Sequence, residues 1–293
     1  MIIAKITGGL GNQLFQYAAG RRLASIHNTE LKLDVSSFET YKLHRYSLNY
    51  LAIKAPEASR AEIEALRGNM EGGKLSKLVE RLRRRKLFPK NPHYIKEVDQ
   101  GFNPKILDLP DDVYLDGYWQ NEKYFKDREI LIREEYVLKE PLSGESNNLS
   151  ERILSSNSVS IHVRRADYVA NQANQKIYEI LGPDYYSKSI EAVKNQVEDP
   201  QGFIFSDDIS WVRENFKLDL PTFYVDFNGP EKNYEDMYLM SLCRHHIIAN
   251  SSFSWWGAWL GNNSDKLVFA PKHWYRNRVL DNKNSYPDGW IKI

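Results

Sequence analysis

At 293 residues the chain is long enough for one large domain or for two of about 150 residues each. A formal net charge of +1 carries no global field for a nucleic-acid partner, and the one cysteine, Cys243, excludes an intramolecular disulfide and fits a reducing compartment. The chain starts directly in a strand-like run, without a basic segment and apolar core before it, and no apolar stretch approaches the ~20 residues that span a bilayer, so a soluble cytoplasmic protein is expected.

Residues 2–6 (IIAKI) are apolar and β-branched and predict a first strand. The turn Thr7-Gly-Gly-Leu-Gly-Asn-Gln13 follows, and then a helical pattern in which Leu14, Ala18 and Leu23 share a face. Strand, glycine turn and helix is the layout of a phosphate cradle. Gly9 and Gly11 match the first two glycines of a dinucleotide fingerprint, but Leu14 stands where the third belongs. Asp34, at the end of the next strand (LKLDV), lies where a ribose-binding acid is expected. A tight turn that brings helix close to sheet explains the glycines equally well. It does not explain Asn12 and Gln13, two amides at the helix mouth that offer directional hydrogen bonds.

Ala61–Arg67 reads as a surface helix. Lys74–Lys86 places Leu75, Leu78, Val79 and Leu82 on one stripe opposite a dense basic face, which is either a solvated helix or one that lies on an anionic membrane. Val113–Asp116 is a short strand followed by Gly117-Tyr-Trp-Gln-Asn. Here Tyr118, Trp119 and Gln120 suit a carbohydrate acceptor, with rings against sugar faces and an amide reading hydroxyls; the two rings plugging the sheet edge is the equal alternative. The polar, turn-rich run 141–150 (PLSGESNNLS) marks a domain boundary, giving domains 1–150 and 151–293.

From 151 onward the alternation becomes regular. A helix over 148–156 leads to a strand over 158–163. Then come helix 183–197, strand 203–206, helix 209–216, strand 222–226, helix 234–243, strand 246–249, helix 253–260 closed by Gly261, and strand 266–270. Such βαβα alternation predicts a parallel sheet covered on both faces, and the first half shows the same pattern with more interruption. The fold class is α/β, with two Rossmann-like domains facing across a cleft that holds the site.

Three of the predicted strands in the second half end in polar clusters. Val159–Val163 runs into Arg164, Arg165 and Asp167, with His162 inside the strand; charges at a strand's C-terminal end are costly without partners, and ligands bind at that end in open α/β sheets. Guanidinium grips phosphate oxygens in a fork, so an anion is the natural partner, with a structural Arg–Asp pair as the other reading. The second cluster is Ser206-Asp207-Asp208, which either accepts from a purine's N–H groups or caps the next helix. The third, Asn250-Ser251-Ser252-Phe253-Ser254, opens a helix whose N–H groups favour an anion, although Ser252 alone is adequately explained as a cap. Arginines and serines together point to a diphosphate. No aspartate stands two positions from another, and no His/Cys set has zinc spacing, so neither a metal nor a cofactor is expected.

The stretches ITGGLGNQLFQYAAGRRLA, LDGYWQNEKYF, SIHVRRADYV, FSDD and IIANSSFSWWGAWLG together resemble the bacterial α1,2-fucosyltransferases of glycosyltransferase family eleven, over nearly the whole chain and in family order. The resemblance implies a GT-B-like fold with an acceptor-side N-terminal domain and a nucleotide-sugar-side C-terminal one. It implies metal-independent, inverting transfer from GDP-β-L-fucose to O2 of a terminal galactose on an oligosaccharide or lipid-linked glycan. Arg164 would grip the β-phosphate, Arg165 and His162 would order the loop, and Asp167 would reach guanine or ribose. Asp207, with Asp208 beside it, would contact guanine, while Ser252, Phe253 and Ser254, in the run that begins at Asn250 and Ser251, would wrap the diphosphate. Asn12 and Gln13 would reach the fucose or the acceptor. Two other readings stay open: a non-catalytic nucleotide-sugar or glycan-binding protein, and an NAD-type oxidoreductase using Gly9, Gly11 and Asp34.

Overall fold

The computed structural model describes residues 1–40, 43–68, 91–98, 101–165, 172–277 and 286–293. Asp167 and the basic stretch Lys74–Lys86 lie outside the described residues. Two compact units divide the chain, Met1–Tyr136 and Val137–Ile293. The division falls before the polar run at 141–150 where the sequence suggests it. That run opens the helix Gly144–Leu154, whose Leu149 and Ile153 are buried with Phe203, Phe205 and Leu239 in the core of the second unit.

The first unit is built on four parallel strands: β1 (Ile2–Lys5), β2 (Leu31–Asp34), β3 (Tyr94–Lys96) and β4 (Val113–Asp116), in the order β2-β1-β4-β3. β1 and β4 are buried along almost their whole length, as expected of central strands in a covered parallel sheet. Helix α1 (Leu10–His27) connects β1 to β2 and buries Leu14, Ala18 and Leu23. Its close approach to the sheet is made at Gly20, where a Cβ would come within 3.0 Å of Ala4 Cβ and 2.9 Å of a Leu31 methyl. The packing glycine of this βαβ unit therefore stands well inside the helix, and Leu14 is free to be an ordinary core residue.

The second unit holds six parallel strands: β5 (Asn157–Val163), β6 (Pro200–Ser206), β7 (Thr222–Val225), β8 (His245–Ile247), β9 (Val268–Ala270) and β10 (Ile291–Lys292). Their order is β10-β9-β8-β5-β6-β7. Counted from β5, this is the 3-2-1-4-5-6 order of a doubly wound dinucleotide fold. Val159, Ile161 and Val163 pack with Tyr186, Ile190 and Val212. The alternate side chains Ser158, Ser160 and His162 are buried as well, although the strand is expected to be apolar. Ser160 Oγ meets His246 Nδ1 at 2.8 Å, and Ser158 Oγ accepts from the Arg244 N–H at 3.1 Å, so burial of the two serine hydroxyls is compensated. Cys243 is a buried thiol whose pKa burial pushes up, in keeping with an inert role.

Candidate functional site

In the second unit the strand order reverses between β5 and β8, and the crevice at the C-terminal ends of such a pair is where open α/β sheets take ligands. The arginine motif leaves β5 at this point and the serine motif leaves β8. Arg164 Nη1 lies 3.0 Å from Asp207 Oδ2, and the Arg165 backbone N–H donates to Asp207 Oδ1 at 2.8 Å. Parallel pairing of Val163 with Ser206 sets these two strand ends side by side. The Arg165 guanidinium sits 3.6 Å from the centroid of the Trp211 ring, with Nε 3.7 Å from Asp208 Oδ2. Asp208 caps the helix Ile209–Asn215 by accepting from the Trp211 N–H at 3.3 Å, which is the plainer of its two sequence readings.

His162 is buried one residue before the strand end. Burial, with Arg164 nearby, pushes its pKa down to about 3, so the imidazole is neutral at ordinary pH. Its Nδ1 has no hydrogen-bond partner among the described residues, and its ring centroid is 5.6 Å from that of Phe253. His162 therefore links the arginine strand to the mouth of the helix Ser252–Leu260.

At that mouth the five residues divide their work. Ser251 is the N-cap, accepting from the Phe253 N–H at 3.3 Å. Asn250 is buried and donates to the carbonyls of Glu179 and Trp274 at 2.7 and 2.9 Å. Ser254 is buried and its hydroxyl accepts from the Ala249 N–H at 3.2 Å. The side chains of Asn250 and Ser254 thus shape the loop, while Ser252 and Phe253 remain partly exposed at the helix N-terminus.

In the first unit the order reverses between β1 and β4, and the glycine turn and the Gly117–Gln120 loop leave those strands. Gln120 Nε2 donates to Asn12 Oδ1 at 2.7 Å, which joins the two loops. Gln13, read from the sequence as a group for substrate, is fully buried. Its Nε2 donates to the carbonyls of Gly8 and Arg45 at 2.9 and 2.8 Å, and its Oε1 accepts from the Ser47 N–H at 2.9 Å. It clamps the glycine turn to the segment at 45–47. Gly8, with φ of +79°, takes the turn's left-handed position; Gly9 is the N-cap of α1 and Gly11 lies buried in its first turn. Trp119 is buried, edge-on to Tyr124 at 5.7 Å, so its ring plugs the sheet edge, whereas Tyr118 is 41% exposed.

Asp34 is buried and committed. It accepts from the Tyr114 hydroxyl and, at 3.0 and 2.6 Å, from the Ser36 N–H and hydroxyl. A ribose would find no open carboxylate there. One acid that sequence reasoning missed stands at this edge. Glu97, directly after β3, accepts from the backbone N–H groups of Tyr118 and Trp119, and burial raises its pKa against those two bonds. The run Tyr94-Ile-Lys-Glu97 repeats the strand-then-charge pattern of 159–165 in miniature, and that was its signal. Among the described residues no group of three or more His, Cys, Asp or Glu side chains is arranged to hold a metal ion, and no helix is long and apolar enough to cross a membrane.

The family model of glycosyl transferase family 11 matches residues 94–293. The chain is 33% identical over its full length, and over 99% of the relative, to an alpha-1,2-colitosyltransferase of Escherichia coli. It is 31% identical, over 98% of this chain and 99% of the relative, to the O-antigen biosynthesis glycosyltransferase WbnK of Escherichia coli. Among solved structures, the fucosyltransferase NodZ from Bradyrhizobium matches with a TM-score of 0.53 at 14% identity, over 87% of this chain and 91% of that one. NodZ alpha-1,6-fucosyltransferase co-crystallised with GDP matches with a TM-score of 0.52 at 15% identity, over 88% and 91%. These structural likenesses show the fold: α/β, with two Rossmann-like units of the GT-B type.

Proposed function

The chain belongs to glycosyl transferase family 11 and is a nucleotide-sugar glycosyltransferase, and we propose that it moves L-fucose from GDP-β-L-fucose to O2 of a terminal β-galactose, with inversion and without a metal ion. The observation that carries this reading is Arg164 at the end of β5, beside the helix mouth that follows β8, at the switch point of a 3-2-1-4-5-6 sheet. A guanidinium fork and a helix N-terminus at one crevice suit a nucleoside diphosphate. GDP in a NodZ crystal of like fold supports the choice of nucleotide.

The reaction is a single displacement. The acceptor hydroxyl oxygen bonds to C1 of fucose as the C1–O bond to the β-phosphate breaks, so the β-linked donor yields an α-linked product. The hydroxyl proton leaves to solvent or a base, and negative charge collects on GDP. Arg164 takes up that charge, in the place a divalent ion holds in other transferases, and removal of one such preorganised donor typically costs about 3 kcal/mol of transition-state stabilisation. Arg165, held between Trp211 and Asp208, keeps the strand end in place. Asp207, next to the arginines, serves the guanine or the arginines themselves; Asp167 serves guanine or ribose, and Ser252 and Phe253 the diphosphate. In the first unit Asn12, Gln120 and Tyr118 serve the sugars. WbnK's role in O-antigen biosynthesis supports a lipid-linked glycan as the acceptor, and the basic stretch Lys74–Lys86 suits contact with an anionic membrane.

The test is incubation with GDP-fucose and a panel of β-galactosides, with the linkage read by NMR. An α1,2-fucosylated product is expected. GDP-fucose bound without GDP release on any galactoside would leave only a binding protein. A second reading rests on the 33% identical colitosyltransferase: colitose is fucose without its 3-hydroxyl, and the same incubation with a colitosyl donor separates the two by kcat/KM. The oxidoreductase reading is opposed by the buried, committed Asp34. GDP is expected to raise the Tm, by an amount that grows with the logarithm of its concentration above Kd, and a rise with NADH alone would overturn the donor assignment.

A further inference from the structure

Glu97 belongs to none of the sequence motifs, yet it holds one of them. Its backbone N–H donates to the Asp116 carbonyl at 2.9 Å, which sets it beside the end of β4. From there its two carboxylate oxygens take separate donors: Oε2 accepts from the Tyr118 N–H at 2.6 Å and Oε1 from the Trp119 N–H at 3.2 Å. Bonds from N–H groups to an ionised carboxylate are the strong kind.

The backbone gripped in this way is not one the chain adopts readily. Trp119 has φ of +54°, a conformation unfavourable for a bulky side chain and sustained only where the surroundings fix it. Gly117 is required for the approach, because a Cβ there would run into Glu97 Cβ and come within 2.8 Å of the Trp119 ring. Trp119 then points inward against Tyr124, Gln120 is tied to Asn12, and Tyr118, which precedes them, is left 41% exposed. The net result is a partly exposed aromatic ring at the edge where the loops of this unit gather. A flat apolar ring with a polar tip fits a pyranose, whose C–H face packs on the ring while its hydroxyls take hydrogen bonds.

We propose that Glu97 is a positioning residue that clamps the loop Gly117–Gln120 so that Tyr118 forms the platform for the acceptor galactoside. The proposal rests on the transferase reading given above. It assigns no chemical step to Glu97 itself.

The test compares the wild type with Glu97→Gln, Tyr118→Ala and the double variant Glu97→Gln/Tyr118→Ala, with GDP-fucose as donor and lactose as acceptor. Glutamine keeps the shape but turns an NH2 toward an N–H that needs an acceptor. Glu97→Gln is expected to raise the lactose KM on the order of ten- to a hundredfold through misplacement of the ring, with the donor KM unchanged. Tyr118→Ala, a change at the surface, moves the same parameter, and the double variant is no worse than the poorer single one. An unchanged lactose KM in Glu97→Gln, or strictly additive effects, would overturn the clamp. Amide hydrogen exchange at Tyr118 and Trp119 reads the same clamp without turnover: Glu97→Gln must accelerate it, and full protection would sink the proposal. Absence of any transfer from GDP-fucose by the wild type is a separate failure, that of the donor reading, and leaves the exchange experiment to decide the clamp.

Discussion

A single carboxylate directly after β6 organises the end of β5: Asp207 pairs with the Arg164 guanidinium at 3.0 Å through one oxygen and accepts the Arg165 backbone N–H at 2.8 Å through the other. The backbone bond fixes where the strand stops, and the ion pair fixes where the guanidinium points. Asp207→Asn keeps an acceptor for the backbone N–H but removes the charge that holds Arg164. The expected outcome is a kcat lower by up to about a hundredfold with GDP affinity undiminished, since aim is lost while the cation remains. Stopped-assay kinetics and calorimetric titration of GDP check it. Loss of GDP binding of the same size would place Asp207 on the nucleotide instead.

Arg164→Ala is expected to lower kcat by about a hundred- to a thousandfold with the fold intact by circular dichroism, because the leaving group loses its preorganised donor. Arg164→Lys should recover little, since a point charge cannot supply two parallel N–H bonds. Near-wild-type GDP release in Arg164→Ala would remove it from the leaving-group role. Chelator should leave turnover unchanged, and a loss restored by Mn²⁺ would contradict metal-free transfer.

Gln13→Ala should act on stability and on activity only through it. The side chain satisfies two carbonyls and one N–H in a fully buried position, and each buried group left unsatisfied costs about 1–3 kcal/mol. A Tm several degrees lower, with kcat of the still-folded fraction retained, is the expected result. A wild-type Tm with kcat abolished would return Gln13 to the chemistry.

Asp236, on the first turn of the helix Asn233–Leu242, gives a pH-dependent prediction. Burial pushes its pKa up to about 7, opposed by the hydrogen bond from Asn228 and reinforced by the neighbouring Glu235. The folded state therefore holds a proton that the unfolded state releases near pH 4. Its contribution is fully present below that pH and is lost as the pH rises through about 7, at up to about 1.4 kcal/mol per pH unit. Asp236→Asn keeps an acceptor for Asn228 and cannot ionise. Denaturant titrations should show it gaining on wild type from pH 4 to pH 7 and holding a constant margin above; a margin independent of pH would refute the raised pKa.

The second unit was largely legible because β5, β6 and β7 are β-branched or aromatic runs that end in charge, and the helices Gly144–Leu154 and Pro183–Lys194 carry clear periodicity. β3 and β10 were not, since three and two residues give no period to read and neither is fully buried. For site residues the limit was direction. An amide or hydroxyl in a turn serves a ligand or a carbonyl with the same atoms, and the sequence does not say which. Gln13, Asn250 and Ser254 proved to bond the chain itself, Trp119 proved to face inward, and Asp34 proved to be closed by Tyr114 and Ser36. Arg164 and Arg165 were readable because a cation at a strand end must meet an anion, although that anion here includes Asp207 and Asp208 of the same chain.

The adjacency of β5 and β8 joins two segments that leave the ribosome well apart. While β6 and β7 are being made, the arginines wait beside a sheet edge with nothing paired to it. A chain cut after Val225 would retain every arginine and aspartate of the cluster yet have no helix mouth opposite them, and its bare β5 edge would invite pairing with another copy. The helix mouth thus joins the arginine cluster only after His245–Ile247 has been made and has paired with β5.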